Sequence, residues 1–263
     1  MRSTWLLLLL ALLSPGAPAI ECPQPLRIAF LDKAIPSKLE GDGTKFASPP
    51  GRFVDWLDET LRRMGCAAER VRVPQRRLLV ETANDMTQVT FYFAHTAERA
   101  QQLVYPTRTD GQPERQLALA ETRLALFVRA DRQSSIRWDG AQLLPPRLKV
   151  GIVGGGVEEP LARAAGWDLD VALSHAGSIA KLRLGRVDAA VLPQLSFSEQ
   201  ALHEEPALVA LEPPMHRIHF FAPVSRALHA RHPQFVKLFW RTLCEVARSD
   251  LPHGSPMPTC RAE

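Results

Sequence analysis

Short apolar runs alternate with amphipathic segments along this chain, and the alternation occurs in two successive sets. Few folds accommodate that order. A helix between two buried strands closes a right-handed crossover, and repeated crossovers build a parallel sheet with helices against its faces. The first set opens at residues 26–31 (LRIAFL), a run suited to a strand buried on both sides. A polar loop over 32–51 leads into GRFVDWLDETLRRMG, where Phe53, Leu57, Leu61 and Met64 recur on one helical face. Asp58 with Arg62, and Glu59 with Arg63, make i,i+4 pairs on the opposite face, and Gly65 supplies the stop. A strand is expected over 70–73, a short helix over 75–83 and a third strand over 88–93 (QVTFYF).

The second set begins with an extended apolar segment over 117–128, followed by a strand over 148–153 (LKVGIV) that runs into Gly154, Gly155 and Gly156. Helices over 158–165 and 178–184 alternate with strands over 169–173 and 187–192 (VDAAVL). A strand over 219–224 and a helix over 233–248 complete the pattern, with Phe235, Leu238, Phe239, Thr242 and Val246 on or near one face of that helix. The two sets repeat the order of elements and not the sequence itself. The fold class is α/β.

The N-terminus speaks to compartment. Arg2, an apolar run over 5–13, then Ser14, Pro15, Gly16 and the small-x-small triplet Ala17-Pro18-Ala19 have the form of a cleaved secretory signal peptide over 1–19. The run is shorter than the roughly 20 residues a membrane span needs. Glu21 stands where a lipid-attachment site before Cys22 needs a small residue, which excludes a lipoprotein. Removing 19 of 263 residues leaves 244, enough for one large or two modest domains. Without Arg2 the chain carries 31 basic and 28 acidic residues. They are interspersed, so no nucleic-acid footprint is present. Four cysteines in an exported chain read as two disulfides. Cys22 precedes the first strand and Cys66 the second. If the two strands are parallel neighbours they start side by side, so these two cysteines are expected to pair, and Cys244 then pairs with Cys260.

The most informative stretch is TFYFAHTAERAQQLVYP. A strand ending at Phe93 opens through a polar loop into a helix start, with Thr96 as N-cap and Arg99 in the first turn. Read by itself this is a capped helix with a surface arginine. Arg76 and Arg77 follow the second strand on the same sheet edge, where ligands of open α/β sheets sit; one of them reaches a cleft, or both belong to a solvated helix start. The glycine run resembles a phosphate loop but lacks the G-K-[ST] ending, and Glu158 and Glu159 after it repel a polyphosphate. His216 and His219 point to opposite sides of a strand, and no acid or cysteine completes a metal site there. His95 reads as a surface residue. No G-x-S-x-G, H-E-x-x-H or free cysteine nucleophile is present, so the expectation is binding without catalysis, cofactor or metal.

Taken in order, LRIAFL, GRFVDWLDETLRRMGC, T-A-E-R-A leading to V-Y-P, LKVGIVGGG, LRLGRVDAAVL and a helical C-terminus resemble the family 3 bacterial extracellular solute-binding proteins. The resemblance covers nearly all of the mature chain, and the placement of Cys22 and Cys66 is similar to a subgroup of that family. It implies a two-lobed, hinged, type II periplasmic-binding-protein-like fold, with lobe one at 23–117 plus 221–263 and lobe two at 118–220. Hinge crossings are expected near 118–122 and 214–220. It also implies a monomer in the periplasm that hands its ligand to an ABC-type permease or a membrane sensor.

In the amino-acid binders of that family, the arginine at the position of Arg99 clamps the ligand carboxylate, which suits a planar bidentate guanidinium. The expected ligand-binding set is Arg99, Thr96, Tyr92, Ala94 and Arg76 from lobe one, with Gly155, Gly156, Val157 and Gln194 from lobe two. Three departures stand out. Tyr92, Phe93 and Ala94 replace small hydroxyl residues before the clamp. Pro193, followed by Gln194, replaces the acid that holds an ammonium. Val157 closes a glycine run where Gly-x-Thr is usual. The expected ligand is therefore an anion or a polar or aromatic compound and not a standard α-amino acid. Tyr92 or Phe93 either stacks on it or packs in the strand's core, the latter being the better reading for Phe93.

Overall fold

The computed structural model describes residues 20–194, 197, 202–250 and 259–261; the segment 1–19, expected to be a signal peptide, lies outside them. The first core forms around β1 (Arg27–Leu31), β4 (Glu69–Val73) and β5 (Val89–Thr90), a parallel sheet in the order β4-β1-β5. Helix α1 (Arg52–Met64) lays Phe53, Val54, Trp56, Leu57 and Leu61 into this core. Gly65 ends it in the left-handed conformation (φ 66°), its own N–H and that of Cys66 returning to the carbonyls of Arg62 and Leu61. On the outer face Glu59 binds both Arg62 and Arg63. The expected Asp58–Arg62 pair does not form, because Arg70 on β4 takes Asp58 across the crossover. Helix α2 (Gln75–Ala83) covers the same sheet. The loop expected over 32–51 holds a short hairpin, β2 (Gly41–Asp42) with β3 (Lys45–Phe46), pinned by buried Arg72 donating to the carbonyls of Glu40 and Gly41.

The expected strand over 88–93 is split. After β5 the chain turns at Tyr92, whose φ is 60°, and resumes as β6 (Phe93–Ala94) in a different sheet. The left-handed residue lets the backbone leave β1 and pair instead with β14 (His216–Phe221). A single-turn helix, α3 (Ala97–Ala100), follows.

The second core lies against β10 (Lys149–Val153), β11 (Asp168–Ala172) and β12 (Ala189–Pro193), which are parallel in the order β11-β10-β12. Helices α4 (Glu158–Ala164) and α5 (His175–Arg183) flank them. Helix α5 starts three residues before the expected 178 because the Ser174 hydroxyl accepts the Gly177 N–H as an N-cap. Long β7 (Ala120–Arg129) runs antiparallel to β12, to β13 (Leu208–Ala210) and to β14, so that β7 and β14 join the two bodies. Phe220 on β14 packs against both cores. The chain returns to the first core through α6 (Arg226–Arg231), which the sequence pattern did not reveal, and α7 (Pro233–Ser249).

Both expected disulfides are present, Cys22–Cys66 and Cys244–Cys260, each with Cα atoms 5.6 Å apart. The first ties the entries of β1 and β4, and the second ties the tail to α7. On the chain-entropy estimate the longer loop contributes about 4 kcal/mol and the shorter about 3 kcal/mol. The Cys22→Ala/Cys66→Ala double variant is therefore expected to lose more stability in urea than Cys244→Ala/Cys260→Ala. Non-reducing peptide mapping should recover both linked pairs; free Cys22 or Cys66 would contradict the fold.

Candidate functional site

Between the two cores lies a cleft of about 580 Å³. Its first wall is Leu31, Ala34, Ile35, Pro36 and Gln75, with Tyr92, Phe93, Ala94 and Arg99. The facing wall is Gly156, Val157 and Glu158, the α5 residues His175, Ala176, Ile179, Ala180 and Arg183, then Leu184 and Pro193. Phe220 completes it. The lining is mostly apolar, with charge limited to a few positions.

Arg99 is the most constrained of these. It is 7% exposed. One amine donates to the Ala94 carbonyl at 2.9 Å and the other to the Gly155 carbonyl at 2.8 Å, and the guanidinium lies 3.9 Å over the Phe93 ring. Burial lowers its pKa, an effect opposed by Tyr105, Glu158 and Glu98 nearby. Tyr105 Oη donates to the same Ala94 carbonyl. Arg99 thus joins the first body to the glycine loop of the second. Thr96 caps α3, its hydroxyl accepting the Arg99 N–H. That helix is one turn long, so it offers no free row of amides.

Arg76 approaches the same loop from α2. A Cβ at Gly154 would collide with its Nη2, and Gly155 has φ 77°. The glycines are explained by this close approach and by the turn. Their amides are engaged: Gly154 N–H donates to Ala172 O, Gly155 N–H to Glu159 Oε2 and Gly156 N–H to Val153 O. Gly156 and Val157 line the cleft, whereas Gly155 contributes its carbonyl to Arg99. Arg77 is exposed, pairs with Glu81 and takes no part in the cleft. Gln194 is exposed just beyond Pro193, which lines the cleft in its place.

Sequence reasoning missed Glu158. It is 1% exposed, its Oε1 accepts the Val153 N–H at 3.2 Å and lies 3.6 Å from His175 Nε2. Its position after a glycine run was the available signal, read only as repulsive to phosphate. Tyr92, 8% exposed, stacks on Phe220 with ring centroids 4.3 Å apart and touches Phe53 at 4.1 Å. Its hydroxyl is buried without a hydrogen-bond partner among the described residues, and burial pushes its pKa up. Phe93 packs into the first body's core beneath α2.

Beside the cleft, His95 N–H donates to His219 O, and His219 Nε2 lies 3.1 Å from Glu121 on β7. Burial lowers the pKa of His95, with His219 and Arg99 adding to the effect. Burial also lowers that of His219, where Glu121 opposes it and Arg115 and His216 reinforce it. A histidine whose pKa is depressed by folding binds fewer protons folded than unfolded, so stability is complete above the unfolded value and falls as pH drops below it. The melting temperature should decline as pH falls below about 6.5. His95→Gln should flatten that decline in a pH series of thermal melts; an unchanged slope would exclude His95 as a source.

No family model matches the sequence, and no curated protein does. Solved structures do match. Tv2483 bound to L-arginine superposes with a TM-score of 0.67 at 13% identity, covering 91% of this chain and 94% of that one. The GluR0 ligand-binding core from Nostoc punctiforme in complex with L-glutamate gives 0.66 at 14% identity, covering 86% and 94%. A histidine kinase sensor domain with similarity to periplasmic binding proteins gives 0.63 at 16%, covering 86% and 91%. At such identity the likeness establishes architecture alone: this chain has the two-lobed α/β fold of the type II periplasmic binding proteins.

Proposed function

We propose that this chain is an exported, periplasmic solute-binding protein that captures a small molecule between its lobes without transforming it and presents the closed form to an ABC-type permease. The observation that carries this reading is the cleft itself. It is walled by both bodies and bridged by one buried guanidinium, and its volume falls within the roughly 300–1,000 Å³ of small-molecule sites. Arg99 is the closing element. Its bond to Gly155 exists only when the bodies approach, so a solute that fills the cleft and favours that approach shifts the population toward the closed form. Solved structures of the same architecture hold arginine and glutamate. No helix among the described residues is long and apolar enough to cross a membrane.

A second reading has its own support. The architecture also occurs in a histidine kinase sensor domain, so the same closure would serve a membrane sensor in place of a permease.

Two measurements test the proposal. A thermal-shift screen of the mature protein against amino acids, organic acids, polyamines, sugars and aromatic compounds should yield a hit, since a solute at 100 times its dissociation constant stabilises by about 2.7 kcal/mol. A folded sample with no hit moves the assignment to a partner-binding module. Small-angle scattering should then show Arg99→Ala and Arg99→Lys more extended than wild type, with unchanged far-UV circular dichroism. Identical scattering curves would remove Arg99 from the closing role.

A further inference from the structure

We infer that the cleft selects an uncharged, mostly apolar small molecule. The inference rests on the solute-binding reading and names the class of solute.

The charged groups in the wall are already employed within the protein. Arg99 spends both amines on the Ala94 and Gly155 carbonyls. Glu158 Oε1 holds the Val153 N–H and lies against His175. Arg183 binds Glu204. The loop amides that an anion would need are taken by Ala172, Glu159 and Val153. A zwitterionic or anionic solute entering this cleft would lose its hydration and find the counter-charges occupied, which is unfavourable. An apolar solute meets the opposite situation, because Ile35, Val157, Ile179, Leu184, Pro193 and Phe220 offer it contact from both sides.

Tyr92 keeps to this pattern, because its ring lines the cleft while its hydroxyl is fully buried, so a solute meets the ring and not the oxygen. The ring is held between Phe53 and Phe220, and its left-handed backbone marks a strained position of the kind that collects at ligand sites.

The test uses N-phenyl-1-naphthylamine, an uncharged apolar dye that brightens on leaving water, titrated into the mature protein. Saturable binding is expected. It should be displaced by 2-phenylethanol and untouched by L-arginine or L-glutamate. Ala180→Trp, which fills the cleft from the exposed side of α5, should abolish it. Displacement by the amino acids and not by the alcohol would overturn the solute class while leaving the solute-binding reading intact. So would the absence of a dye signal in a protein that gives a thermal-shift hit with a charged solute. Dye binding that survives Ala180→Trp places it outside the cleft and overturns the inference.

Discussion

A guanidinium taken out of water needs acceptors, and Arg99 finds one on the connecting strand β6 and one in the glycine loop of the second body. Ala94 O belongs to the strand that leaves the first core, and Gly155 O to the loop that leaves β10 in the second. The Gly155 bond thus ties the buried guanidinium to the second body. The remaining features of the boundary follow from it. Phe93 supplies the face over which the guanidinium lies, and Tyr105 shares the Ala94 carbonyl. The loop beneath is built of glycine because Arg76 packs directly onto Gly154 and Gly155. A Cβ at Gly154 would displace the end of the Arg76 side chain, and Gly155 holds a left-handed φ of 77° that other residues adopt with strain.

The same boundary explains the backbone at Tyr92. Strand β5 belongs to the first sheet and β6 to the sheet that runs into the second body, and Tyr92 is where the chain changes sheets. A non-glycine residue at positive φ costs of order 1–3 kcal/mol. The packing around the ring offsets this strain: Phe53 on one side, and Phe220, which touches both cores, on the other. The aromatic stack therefore couples a local backbone constraint to the register of β14 against β6. Movement between the bodies that shifts β14 must also move the floor of the cleft.

Much of the architecture was legible in the sequence because helix and strand periodicities report burial directly. The runs LRIAFL, LKVGIV and VDAAVL became β1, β10 and β12, and Cys22 and Cys66 pair because β1 and β4 are parallel neighbours. The split of QVTFYF was not legible, since nothing in an apolar run says which of two sheets each half will join. The cleft was legible only in part. Arg99, Tyr92, Ala94, Gly156 and Val157 stand in its walls, but Gln194 is exposed beyond Pro193 and Thr96 serves as a cap. Glu158 and the α5 residues escaped notice because their place in the wall depends on how α4 and α5 pack on the second sheet, which no local spacing encodes.

The acids after the glycine run show how far a correct physical rule can miss its structural consequence. Glu158 and Glu159 do exclude a polyphosphate, but by more than repulsion across space. Glu159 Oε2 takes the Gly155 amide and Glu158 Oε1 the Val153 amide, so the loop is an anion site already filled by its own side chains. Backbone hydrogen bonding from Gly155 is the first cause of the lowered pKa of Glu159, with Arg163 second, so its negative charge is favoured. A loop closed in this way keeps only its carbonyl side available, and that side faces Arg99. The second body thus presents an acceptor to the first.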